Sequence, residues 1–358
     1  MIREPVRYYF GENCIRENAK EFKPLGKKAL IVTGHSSEKN GSLTDVINAL
    51  DELKITYAVF NEIEENPTTE IVIKARDYGI KNACDFVVGI GGGSPMDAAK
   101  ATAVMMKNCE FGEEFLYDSS YETTAVPMAL VATTCGSGAE VTPNAVLTTH
   151  KDKTKRSSVH RVYPNAAFVD YRYIENAPAK LIKNTALDAL THMIESFVHS
   201  KADKYTKLYC INGMMLWGNC KDVILGKKEL TSDVCKDLML ASSFGGFAIS
   251  HTGTSLPHRL SYALTYNYGI SHGPAVAYFV PTFLKYCEKE EVNTILSLTH
   301  FKSLNEFERF VNDILGEIKV DDEVFYRAID EIMINTKVLN STKFEVDRKK
   351  LEKVARLK

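Results

Sequence analysis

Short apolar runs alternate with amphipathic stretches along the first half of the chain. KKALIVTG (27–34), ITYAVFNEI (55–63), CDFVVGI (84–90), MALVATT (128–134) and AAFVD (166–170) read as strands of a buried parallel sheet. Between them, SLTDVINALDEL (42–53) has helical periodicity with Ser42 as its cap, and Pro67, Thr68 and Thr69 open a helix running to about Tyr78. GGGSPMDAAKATAVMM (91–106) is a Gly-rich turn feeding a third helix from Pro95. This alternation predicts a parallel sheet with helices on both faces. NAVLTTH (144–150) and RSSVHRV (156–162) flank the polar KDKTK as a hairpin. After Pro178 the pattern becomes helical, at 178–199, 204–221, 231–250, 255–266, 273–287, 290–297, 304–316, 322–335 and 344–356. The reading is an α/β N-terminal domain (1–176) followed by an all-α C-terminal domain (177–358), with no internal repeat, no low-complexity segment and no flexible linker.

Composition narrows the functional classes. The 358 residues carry 44 basic and 46 acidic side chains, and a net charge of −2 argues against a nucleic-acid or anionic-membrane partner. No apolar run approaches the roughly 18 residues that a spanning helix needs, and MIREPVRYYFGENC has no secretory core segment. The eight cysteines are scattered without a CxxC pair, which predicts reduced thiols in a cytoplasmic protein.

Three stretches carry chemistry. In GIGGGSPMDAAK (89–100), three glycines let backbone approach a ligand, Ser94 adds a hydroxyl, and the following helix points free N–H groups at the loop. The stretch is neither G-x-G-x-x-G nor a Walker loop. TTCGSGAEVTPNA (133–145) is a second turn of small hydroxyl residues after a strand. Asp188 and His192, four apart, share a helix face, and His258 and His272 follow, the latter before Gly273-Pro274 at an expected helix start or tight loop. One carboxylate and three imidazoles suit a divalent transition metal. His35, His150, His160, His199, His251 and His300 read as surface or loop residues.

Together, GIGGGSPMDAAK, TTCGSGAE, TALDALTHMIES and the His258-x13-His272-Gly spacing resemble the group III metal-dependent, iron-containing alcohol dehydrogenases over nearly the whole chain. The resemblance implies the dehydroquinate synthase-like fold of that family, a dinucleotide-binding domain followed by a helical one. It implies Fe²⁺ or Zn²⁺ on Asp188, His192, His258 and His272, with Gly92, Gly93, Ser94 and Asp97 toward the pyrophosphate and nicotinamide ribose. Thr133, Thr134 and Ser137 would line the cofactor, and Lys155 would reach the ribose. The implied reaction is reversible hydride transfer between a nicotinamide and a small primary alcohol or aldehyde, in a homo-oligomer, commonly a dimer.

The chain departs from that family's pattern at two points. Many members carry a further histidine where this chain has Tyr262, which is here a candidate proton relay. HRLSY (258–262) is also similar to the phosphonoacetaldehyde-reductase branch, but the arginine that branch carries seven residues before the third ligand is here His251. NAD-preferring members often place an aspartate after the first strand. Here that position is Gly34, followed by Ser36, Ser37 and Lys39, so NADP(H) is expected over NAD(H). Alternatives are a glycerol dehydrogenase-like enzyme and, more remotely, a dehydroquinate synthase-like lyase. The lyase would need a basic cluster, and only Arg259 is present near the site.

Overall fold

The computed structural model describes residues 5–151, 154–316 and 318–357. The chain forms two compact units. One comprises residues up to Thr134 together with Gly138–Ala177, and the other Cys135–Ser137 together with Pro178–Lys358.

The first unit is built on six strands: β1 (Arg7–Phe10), β2 (Lys28–Thr33), β3 (Thr56–Phe60), β4 (Phe86–Gly91), β5 (Met128–Ala132) and β8 (Ala166–Val169). They pair in parallel in the order β1-β8-β5-β4-β2-β3. Every residue of β4, β5 and β8 is buried, which explains their unbroken apolar runs. The chain leaves β2 toward one edge and β4 toward the other. The gap beyond the C-terminal ends of β2 and β4 is therefore the topological switch point, where ligands of open α/β sheets bind. β6 (Val146–Thr149) and β7 (Thr154–Ser157) form the antiparallel hairpin, whose tip residues Asp152 and Lys153 lie outside the described residues.

Three helices cross between strands: α1 (Ser42–Glu52), α2 (Thr69–Lys81) and α3 (Gly93–Lys107). α1 buries Leu43, Val46, Ala49 and Leu50 on one stripe against Ile31 and Val88, each fully buried aliphatic side chain contributing about 1.5–3 kcal/mol. Its N-cap is Gly41 at φ +87°, not Ser42. The amide and hydroxyl of Ser42 instead donate to Asn40 Oδ1 at 3.0 and 2.7 Å. α2 is capped by Thr68, whose hydroxyl accepts from Ile71 N at 3.3 Å. α3 starts at Gly93, two residues before the expected Pro95. β1 was not anticipated, because four residues are too few to display a period.

The second unit is helical among the described residues. α4 (Ala179–Val198) is buried almost all round from Ala186 to Val198. It packs against α5 (Lys204–Asn219), α6 (Ser232–Thr252) and α8 (His272–Ala277), which together cover it. Trp217, fully buried on α5, donates its indole N–H to the Ala186 carbonyl at 2.7 Å. α7 (Leu256–Tyr268) precedes α8. The run expected as one helix over 273–287 breaks at Tyr278–Phe279 and resumes as α9 (Val280–Leu284), with Pro281 in its first turn. α10 (Lys289–Leu298), α11 (Leu304–Leu315), α12 (Asp322–Met333) and α13 (Arg348–Val354) follow, and single helical turns occur at Lys221–Ile224 and Thr336–Leu339. No described helix is long and apolar enough to cross a membrane.

Candidate functional site

In the helical unit, α4 presents Asp188 and His192 one turn apart, α7 presents His258 as its third residue, and α8 begins with His272. Nε2 of His192, His258 and His272 lies 3.8, 3.8 and 3.7 Å from one atom, Asp188 Oδ1. Those separations are too long for hydrogen bonds. They lie close to the edge of a tetrahedron around an ion with ligands at 2.0–2.2 Å, roughly 3.3–3.6 Å. Asp188, His258 and His272 form the tightest group, their donor atoms all within 4.8 Å of one another. His192 stands beside it, its ring stacked on His258 at 4.7 Å.

Asp188, His192 and His258 are buried, whereas the His272 side chain is 30% exposed and marks the open side. Burial pulls His192 below its usual pKa, which favours the neutral imidazole that binds metals. The α8 approach depends on Gly273. A Cβ there would run into the Asn184 carbonyl and stand 2.8 Å from Asp188 N, so only glycine lets His272 come this near Asp188.

One buried residue beside this cluster was not anticipated. Glu195, fully buried on α4, accepts from His258 Nδ1 at 2.5 Å and, through its other oxygen, from Ser255 N at 2.5 Å. It lies three residues after His192 and seven after Asp188, on their helical face, so its spacing was a signal available in the sequence.

Tyr262, half-buried one turn after His258, stacks on His272 at 6.3 Å, and the Arg259 guanidinium lies 5.6 Å from its ring centre. Arg259 is also 3.7 Å from Glu331. His251 is exposed and packs on Tyr205 and Tyr209 of α5. His160 and His199 are buried, contrary to the surface reading. The His160 ring stacks on Phe115 at 4.4 Å, and His199 Nδ1 accepts from Lys201 N at 3.0 Å.

In the α/β unit, Gly34 and Ser36 follow β2 while Gly92, Gly93 and Ser94 follow β4, which puts both loops at the switch point. Gly91 turns the chain at φ +150°, and Gly92 caps the 15-residue α3, whose first-turn N–H groups make an anion-favouring end. Ser94 Oγ accepts from Asn66 N at 3.1 Å. Thr133 is buried, its amide bound to Gly91 O at 2.9 Å, and the Thr134 hydroxyl sits where a Gly92 Cβ would come within 2.9 Å. Ser137 is half-buried and belongs with the helical unit.

Asp97 accepts from Lys100 Nζ at 3.2 Å and from Val146 N at 3.0 Å. The fully buried Lys100 also donates to Asn144 O at 2.7 Å. Burial works against both charges, raising Asp97 and lowering Lys100, while each opposes the other's shift. Lys155 is buried on β7 opposite Thr148, and its charge also reaches Asp97.

One expectation behind the cofactor preference is corrected, and a packing reason for Gly34 appears beside it. Ser37 is buried and donates to Gly34 O at 3.0 Å, so its hydroxyl is already engaged. A Cβ at Gly34 would come 2.6 Å from Ile63 O, so packing alone requires glycine there. Ser36 and Lys39 are exposed. A cavity of about 430 Å³ is lined by His35, Glu62, Glu64, Glu65, Asn66 and Thr68, among others.

The chain matches two family models, iron-containing alcohol dehydrogenase over residues 5–171 and the C-terminal part of the Fe-containing alcohol dehydrogenase family over 182–357. It is 30% identical to the 1,3-propanediol dehydrogenase of Citrobacter freundii, covering 84% of this chain and 76% of that one. It is 29% identical to the lactaldehyde reductase of Escherichia coli K12, covering 78% and 73%. An iron-containing alcohol dehydrogenase structure from Thermotoga maritima superposes with a TM-score of 0.92 at 33% identity, covering 99% of this chain and 98% of that one.

Proposed function

Because this chain belongs to the iron-containing alcohol dehydrogenase family and is an oxidoreductase acting on alcohols and aldehydes, we propose that Asp188, His192, His258 and His272 hold its catalytic divalent metal. The observation that carries the reading is the convergence of three Nε2 atoms on Asp188 Oδ1 at 3.7–3.8 Å. One carboxylate and three imidazoles suit Fe²⁺ or Zn²⁺. A metal held there would supply Lewis-acid polarisation of a substrate oxygen, and a bound nicotinamide would supply the hydride donor or acceptor.

The chain's own part is to bind and orient. The α3 N-terminus and the Gly92–Ser94 backbone would hold the pyrophosphate, and Asp97 and Lys155 would serve the nicotinamide ribose. Buried Thr133 and half-buried Thr134 shape the wall beside Gly92. Tyr262, stacked on His272, passes the proton as a phenol acting as an acid. The substrate is a small primary alcohol or its aldehyde, of the size of the propanediol and lactaldehyde named for the relatives. A phosphonate substrate is disfavoured, because His251 packs on tyrosines and Arg259 is the basic side chain found beside Tyr262.

NADP(H) is the favoured cofactor. Exposed Ser36 and Lys39 after β2 supply a donor and a charge for a 2′-phosphate. Glu62, Glu64 and Glu65, which line a cavity with His35, oppose it, although Glu62 is paired with Lys74 at 2.5 Å, so the preference is expected to be modest. Eight free thiols suit the reducing cytoplasm. Aldehyde reduction is to be measured across a C2–C5 panel with NADH and NADPH, on protein reconstituted separately with Fe²⁺ and Zn²⁺. Turnover that requires metal supports the reading. Full turnover after metal removal contradicts it, and a kcat/KM about tenfold higher with NADH contradicts the cofactor preference.

A further inference from the structure

Glu195 stands between two elements of the helical unit. It is wholly buried on α4, and each of its oxygens has one donor, His258 Nδ1 at 2.5 Å and Ser255 N at 2.5 Å. Ser255 is the N-cap of α7 and His258 its third residue. A carboxylate can only accept, so Nδ1 of His258 carries the proton. The lone pair then sits on Nε2, the atom that faces Asp188 Oδ1 at 3.8 Å.

The second bond fixes the start of the helix that carries the ring. The α7 N-terminus has orphan N–H groups and no side-chain cap of its own at Ser255, whose hydroxyl is engaged with Ser341 Oγ at 2.7 Å. A buried anion at that end also suits the helix dipole. One side chain therefore sets the His258 tautomer, its ring orientation and the position of its helix relative to Asp188 and His192.

We propose that Glu195 is the positioning residue of this metal site: it presents His258 Nε2 to the ion and raises the basicity of that imidazole. The inference rests on the metal reading above. A purely structural role would lower the stability of the metal-free protein and leave its intrinsic metal affinity alone. The carboxylate–histidine–metal arrangement predicts a loss of metal affinity beyond any loss of stability.

The test is the Zn²⁺ dissociation constant, by chelator competition, of the wild type, Glu195→Gln, Glu195→Ala and His258→Ala, with thermal midpoints of the metal-free proteins and Co²⁺ absorption spectra recorded alongside. Glu195→Ala is expected to bind Zn²⁺ about 10–100-fold more weakly. Glu195→Gln is close to isosteric and keeps the fold if alanine does not. Its single acceptor oxygen can serve His258 or Ser255 but not both, so it is expected to bind at least about fivefold more weakly, with an altered Co²⁺ spectrum. Glutamine-variant affinity within about twofold of wild type, beside a strong loss in His258→Ala, overturns this inference alone. Wild-type affinity in His258→Ala overturns the metal reading beneath it.

Discussion

Gly273 lies against the backbone of Asp188, so close that a Cβ would stand 2.8 Å from Asp188 N. Three segments distant in sequence meet at the proposed metal site, and this contact sets how near the third one comes. Gly273→Ala is predicted to push α8 off α4 and carry His272 away from Asp188. Overpacking of this kind costs about 1–3 kcal/mol. The expected outcome is a lowered thermal midpoint together with reduced metal content, measured on the same preparation. A variant that melts lower yet keeps a full metal complement would show that the approach is not needed for the site.

Tyr262 stacks on His272, and the proposed function gives its phenol the proton relay. Tyr262→Phe keeps the ring and removes the hydroxyl. The prediction is a fall in kcat of about 100-fold, the lower end for general acid–base catalysis, with metal content unchanged. A kcat within about threefold of wild type would make Tyr262 a wall of the pocket.

Lys100 is fully buried beside Asp97 and ties α3 to Asn144, just before β6. Lys100→Met keeps the volume but leaves the Asp97 carboxylate without its buried partner. Breaking such a pair costs about 3–5 kcal/mol. Denaturant melts should show it, and the KM for nicotinamide cofactor should rise because Asp97 loses its anchor. Unchanged stability and KM would contradict the assigned role.

His199 supplies a pH dependence with a definite sign. Burial pulls its pKa down to about 4, and its Nδ1 accepts a hydrogen bond that protonation would break. The unfolded histidine titrates near 6.5. Between those values the unfolded chain binds the extra proton, so the His199 contribution is complete above about pH 6.5 and is lost as pH falls toward 4. With allowance for solvent screening, the loss is about 1 kcal/mol at pH 5. His199→Asn keeps an acceptor that does not titrate, so the difference in stability between pH 7 and pH 5 should shrink by that amount in urea melts. An unaltered difference would rule out the assignment.

Much of this was legible because local chemistry dictated it. The strand–glycine–helix run at 86–107 declares itself through apolar β-branched residues, three glycines and a long alanine-rich helix. The Asp188–His192 spacing and the Gly273-Pro274 dipeptide after His272 marked a helix face and a helix start. What escaped depends on contacts distant in sequence. Nothing local distinguishes Arg7–Phe10 from a loop until β8 pairs with it. Gly34 looked like a missing carboxylate, and only the neighbouring Ile63 carbonyl shows the packing reason for it. Ser37 looked like a ligand donor until its bond to Gly34 O was seen. Glu195 stood on the right helical face, but an acid one turn past a histidine reads as a solvated residue until His258 and Ser255 close on it.

The central claim is that one ion sits among Asp188, His192, His258 and His272. Its most direct measurement is anomalous diffraction at the iron or zinc edge from crystals of the metal-loaded protein. The account predicts a single strong peak about 2.0–2.3 Å from Asp188 Oδ1 and from the Nε2 atoms of the three histidines. A peak elsewhere, or none in a protein that reduces aldehydes at full rate, would contradict it.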